Sequence, residues 1–121
     1  MRSVEEIRGE LYRIADLPEA DLAAAALWIA AEEYPELDPA AYLRYLDEVA
    51  GAVSARIPDA GDPDAARDAL SEEIFVHQGF AGNATEYYDP RNSYLNDVID
   101  RRRGIPITLA VVYLSIGRRL G

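Results

Sequence analysis

The residues with the most chemistry to offer lie between Asn83 and Asn92. Tyr87, Tyr88, Asp89, Arg91 and Asn92 bring phenols, a carboxylate, a guanidinium and an amide close together. Loops that collect such groups are where binding sites concentrate. With Asn83 before them and Ser93 after, these residues can line a polar recess. The same residues also have an internal use. Asp and Asn bond the backbone of their own turns, tyrosines pack flat, and an arginine pairs with an acid. The internal use is favoured. It predicts Asp89 and Asn92 bonded to backbone of their own turn or of the next helix start, with Tyr87 or Tyr88 largely buried.

Other candidates are sparser. Arg101, Arg102 and Arg103 form a basic run that suits phosphate, but arginines at a helix C-terminus also complement its dipole, as do Arg118 and Arg119. Thr108 and Ser115 are the hydroxyls near the start of the last helix. A helix N-terminus activates a nucleophile placed there, but a crowded threonine more often bonds a backbone carbonyl. His77 is the one histidine and cysteine is absent. Disulfides, thiolate metal sites and a cysteine nucleophile are therefore excluded, no zinc site is expected, and no cofactor is implied.

These groups must be positioned by helices, because no run alternates with period two. Ser3 and Glu6 form a capping box, and Val4, Ile7, Leu11 and Ile14 follow at helical spacing, predicting a helix over 4–15. A second is predicted over 18–33, opened by Pro18, with Leu22, Ala25, Ala26, Ile29 and Ala30 inward. Asp38-Pro39 starts a third, whose apolar period runs from Tyr42 to Ile57 and stops at Pro58. Residues 58–62 read as a turn. Asp62-Pro63 starts a fourth helix over 63–77, with Ala66, Ala69, Leu70 and Ile74 inward, joined by Phe75 or His77, and Gly79 as its stop. A loop follows over 79–92. A fifth helix, about 94–102, is capped by Asn92 or Ser93, turns Tyr94, Leu95, Val98 and Ile99 inward, and ends at Gly104.

The sixth helix opens at Pro106. Ile107, Leu109, Val111, Val112, Tyr113, Leu114 and Ile116 crowd it nearly all round, which marks a buried core helix too short to span a bilayer. A chain that stops just beyond its own core helix reads as the first part of something larger. The expected architecture is one all-α domain of about six helices over residues 1–121.

Charge is uneven. Residues 1–73 hold 18 acids and 6 arginines, and residues 74–121 hold 4 acids and 6 arginines, within a formal total of −10. The acidic part repels phosphate, so nucleic-acid binding is disfavoured, and the acids supply solubility. The chain has no lysine, a compositional bias. No signal-peptide pattern opens it, so a cytoplasmic protein without membrane association is expected.

Residues 79–114 resemble the signature of the SirB-type transglutaminase-like family. The match rests on Gly79-Phe80, Gly82-Asn83, Tyr87-Tyr88-Asp89-Pro90, Asn92-Ser93, Leu95, Val98, Arg103-Gly104-Ile105-Pro106-Ile107 and Leu109. The upstream run from Ala23 to Ala31 and Tyr34-Pro35 resembles the family too. The resemblance implies the helical lobe of a transglutaminase-like, papain-like fold. In the family a strand-rich half carrying a Pro-Gly-His-Phe stretch follows, and in the wider fold that half packs on the central helix and supplies the catalytic histidine and aspartate. The resemblance places the nucleophilic cysteine two residues after Gly104, where this chain has Pro106. Thiolate attack needs a thiol paired with an imidazole, so the expected function is a noncatalytic lobe that binds a protein or peptide. The alternative is a component of an enzyme completed by a strand-rich half. With no sheet to cover it, one stripe of the last helix should meet water and drive self-association or partner binding.

Overall fold

The computed structural model describes residues 2–57 and 61–120. Six α-helices dominate it: α1 (Val4–Ala15), α2 (Leu22–Glu33), α3 (Pro39–Ala55), α4 (Pro63–Glu72), α5 (Leu95–Arg101) and α6 (Pro106–Leu120). A π-helical turn, Glu73–His77, extends α4, and a 3-10 turn covers Pro90–Asn92. Among the described residues the strand content is one two-residue parallel bridge, β1 (Ala81–Gly82) beside β2 (Arg103–Gly104), with Ala81 opposite Arg103 and Gly82 opposite Gly104.

The starts of four helices follow from one device. An oxygen-bearing side chain at the N-cap accepts a backbone N–H left orphaned by the first turn. Ser3 accepts from Glu6, Asp21 from Ala23 and Ala24, Asp38 from Ala40, and Asp62 from Asp64 and Ala65. Pro39 and Pro63 sit in the first turn, where no N–H is needed. The cap at Asp21 corrects the predicted start of the second helix: α2 opens at Leu22, and Pro18 precedes it.

The face of α2 also differs from expectation. Ala23, Ala24, Leu27, Ala30 and Ala31 are buried, while Leu22 and Ile29 are exposed. From Leu22 to Ala31 the helix carries no polar residue, so its own pattern does not choose a face. Neighbours choose it: α1 packs on one side, and α3, α5 and α6 on others. The small alanines allow this close approach. The main core joins α2 to α6 through Leu27, Leu46, Val53, Ile74, Leu95, Val98, Val112 and Ile116. A smaller cluster around Ile7, Ala30, Ala31 and Leu37 seats α1.

Three further expectations need correction. The fourth helix does not stay regular to residue 77. Gln78 N–H donates to Glu73 C=O at 2.8 Å, one residue farther than an α-helical bond. This wider turn buries Glu73 and Ile74 and leaves Phe75, Val76 and His77 exposed. Gly79 ends it with φ 74°. The fifth helix is capped by neither Asn92 nor Ser93; Tyr94 is its N-cap, without a side-chain bond. It ends at Arg102, not Gly104. Arg102 is left-handed at φ 60°, a conformation costing a non-glycine residue about 1–2 kcal/mol.

Gly104 has a different task. A Cβ there would stand 2.7 Å from Thr108 Oγ1 and 3.0 Å from Val98 Cγ1, so β2 runs through a gap only glycine fits. The stop at Pro58 and most of the turn over 58–62 lie outside the described residues.

The last helix, α6, packs on α2, α3 and α4. It buries Thr108, Val112, Ser115 and Ile116. It is not buried all round: Ile107 is 73% exposed and Leu114 59%. No helix among the described residues is long and apolar enough to cross a membrane.

Candidate functional site

The loop residues do come together, and they face one another. Asn92 is buried. Its Nδ2 donates to the carbonyls of Glu86 (2.9 Å) and Tyr87 (3.0 Å), and its Oδ1 accepts from Asn83 Nδ2 at 3.0 Å. Asn83 Oδ1 in turn accepts from Glu86 N–H, and Asn83 N–H donates to Gly104 C=O. Thr108 Oγ1 donates to Asn92 C=O at 2.8 Å and accepts from Ile105 N–H at 3.1 Å. One continuous clasp therefore ties the loop to the first turn of α6. Its amides and hydroxyl are consumed by that task.

Asp89 caps the 3-10 turn through Arg91 N–H and holds the Arg91 guanidinium at 2.7 Å, with Arg101 at 3.6 Å. Bonds from the Arg91 side chain and then its backbone N–H hold the Asp89 carboxyl well below the usual carboxylate range, and Arg101 adds to this. Asp89 and Asn92 thus bond their own turn, as the spacing predicts. Ser93 is exposed and its N–H donates to Pro90 C=O.

The tyrosines depart from expectation. Tyr87 is 56% exposed and Tyr88 92%, set edge to face with centroids 5.3 Å apart. The Asn92 amide fills the inside of this turn, so both rings are left outside it.

The arginines are anchors. Arg102 Nε donates to Gln78 C=O and Arg103 to Gly79 C=O. Arg118 donates to the carbonyls of Ala20 and Glu19. Arg119 reaches Asp47 at 2.6 Å and Asp21 at 3.3 Å. These last contacts bind the end of α6 to the segment that opens α2 and, through Asp47, to α3. Their dipole role was legible from sequence; their long-range partners were not. His77 lies exposed between Glu72 and Arg56, 3.2 Å from each.

One accessible feature is apolar. Phe75, Pro106, Leu109, Ala110, Tyr113 and Leu114 line an open groove of about 420 Å³ along α6. Phe75 stacks on Tyr113, with centroids 6.4 Å apart and planes 21° apart. Pro106 thus lines a groove that can hold apolar side chains, with Tyr113 its one residue bearing a polar group. Among the described residues no cluster of three or more His, Asp or Glu groups suits a metal. Sequence reasoning missed Phe75, because the outward turn that exposes it depends on the π-helical register.

A family model described as the transglutaminase-like superfamily matches residues 40–121. A UPF0162 protein of Xylella fastidiosa is 40% identical over 100 residues, which are 83% of this chain and 36% of the relative. A UPF0162 protein of Pseudomonas aeruginosa is 38% identical over 96 residues, 79% of this chain and 35% of the relative. Human F-box only protein 21 is 41% identical over 54 residues, 45% of this chain and 9% of that protein. The chain spans about a third of the length of the UPF0162 relatives. No solved structure matches it. A loop clasped to the N-terminus of a long apolar helix, carried on a helical scaffold, is how this sequence builds its part of the fold, and the chain belongs to the transglutaminase-like superfamily as a SirB-type, UPF0162 domain.

Proposed function

We propose that this domain is noncatalytic by itself and acts as an interaction module through the exposed stripe of α6. The groove of Phe75, Pro106, Leu109, Ala110, Tyr113 and Leu114 carries this reading. Large apolar side chains left contiguous on a surface mark binding sites. The chain has no cysteine, and the resemblance puts the family's nucleophile at the position of Pro106. The loop 83–93 sets the angle at which α6 begins; Tyr87 and Tyr88 are its outward groups and can extend the contact.

The test is light scattering coupled to size exclusion over a concentration series, for the parent and for Leu114→Glu. The reading expects concentration-dependent association through this face, abolished by the charge. A parent that stays monomeric at every concentration and captures no partner sensitive to Leu114→Glu overturns it.

A second reading is an enzyme component completed by a strand-rich half. It is favoured by the matched segment being only 36% of the Xylella relative. A Pro-Gly-His-Phe-like stretch downstream in the same reading frame supports it, and the absence of one counts against it.

A further inference from the structure

Arg102 is the one non-glycine residue with left-handed backbone among the described residues. Glycine ends a helix this way at the least cost, so an arginine there is held by its side chain. Its guanidinium lies 4.7 Å from the centre of the Tyr45 ring and 5.1 Å from that of Phe80. Its Nε donates to Gln78 C=O at 3.1 Å. These contacts occupy the flat face and one N–H, and leave the two terminal nitrogens without a hydrogen-bond partner among the described residues.

Two residues earlier, Asp100 is exposed and its Oδ2 accepts from Tyr42 O–H at 2.7 Å. Tyr42 and Tyr45 stand about 5–6 Å apart, one turn along α3. The two tyrosines therefore hold a carboxylate and a guanidinium side by side. Neither charge pairs with the other or with a further charged group among the described residues. Between them lies a recess of about 210 Å³, completed by Ala41 and Ile99.

We propose that this recess binds a small zwitterionic amino acid, its ammonium on Asp100, its carboxylate on Arg102 and its side chain over Ala41 and Ile99. Burial and the Asp100 contact push the Tyr42 phenol up, so it stays a donor and keeps Asp100 an acceptor. The terminal nitrogens of a guanidinium match a carboxylate in a forked pair. A ligand carrying one charge leaves the other group served by water alone.

The test is a nuclear magnetic resonance titration of the full chain with L-valine, N-acetyl-L-valine and L-valinamide. L-valine is expected to shift amides around residues 41–45 and 99–102 saturably. Each blocked form should bind about tenfold more weakly or worse, the loss expected for one hydrogen bond to a charged group. Asp100→Asn keeps an acceptor for Tyr42, and Arg102→Gly suits the left-handed backbone, so both variants should stay folded. Each should weaken L-valine about tenfold or more by the same loss. If Arg102→Gly unfolds, Asp100→Asn decides. No saturable shift with L-valine, equal binding of all three probes, or undiminished binding by a folded variant overturns the proposal. The recess shares no residue with the α6 groove, so either reading fails without the other.

Discussion

Thr108 and Asn92 lie sixteen residues apart in sequence, and the hydroxyl of one donates to the backbone carbonyl of the other at 2.8 Å. The same oxygen accepts from Ile105 N–H, so one buried atom locks the loop and the first turn of α6 together. Thr108→Val keeps the shape and removes both bonds. It should cost about 1–3 kcal/mol, the range for leaving buried polar partners unsatisfied. Thr108→Ser should recover most of that. Urea unfolding followed by circular dichroism measures both, and equal stability of the Val and Ser variants contradicts the clasp.

Gly104→Ala tests the same junction from the other side. Its new methyl would meet Thr108 Oγ1 at 2.7 Å and Val98 at 3.0 and 3.2 Å. Overpacking of this kind costs about 1–3 kcal/mol. Gly51→Ala is the control, because nothing lies within 4 Å of a Cβ there. It sits within α3, where alanine outranks glycine by about 1 kcal/mol, so it should stabilise. Thermal unfolding should move in opposite directions for the two variants.

Asp89 gives a pH dependence of defined sign. Its folded pKa lies below the unfolded value, so the unfolded chain binds more protons between the two. The stabilisation is fully present above the unfolded carboxyl pKa of about 4 and disappears as pH falls through the folded value. The stability difference between parent and Asp89→Asn should be constant from neutral pH down to about 5 and shrink below about 4. Urea midpoints of both proteins across that range provide the check. A difference that grows on acidification refutes the assignment.

Leu114 is 59% exposed, so Leu114→Glu should change stability by less than about 0.5 kcal/mol. Its effect should appear in association. At about 25 cal/mol per Å², hiding about 400 Å² of the α6 stripe contributes about 10 kcal/mol, before the entropic costs of binding. An unchanged melting curve with lost association separates a surface role from a folding one.

Much of this fold was legible because its signals are local. Ser3, Asp38 and Asp62 announce helix starts through bonds that span two or three residues. The bonds of Asp89 and Asn92 to their own turn are local as well. What was illegible depends on neighbours or on register. Leu22 and Ile29 are as apolar as Leu27, and only the packing of α1, α3, α5 and α6 decides which of them face water. Tyr87 and Tyr88 are exposed because the Asn92 amide already fills their turn. Arg102 ends α5 in place of Gly104 because Tyr45 and Phe80, distant in sequence, hold its side chain.

The π-helical turn makes one stretch of this chain sensitive to length more than to spelling. The bond from Gln78 N–H to Glu73 C=O closes over one residue more than an α-helical bond. Each residue turns an α-helix by about 100°. Loss of one residue of the turn ahead of Phe75 should turn that ring by about 100° relative to α4, taking it away from Tyr113 and removing one wall of the groove. An exposed position such as Val76 should accept many replacements. A change of length within the turn therefore threatens the Phe75 wall of this groove more than a change of residue at Val76 does.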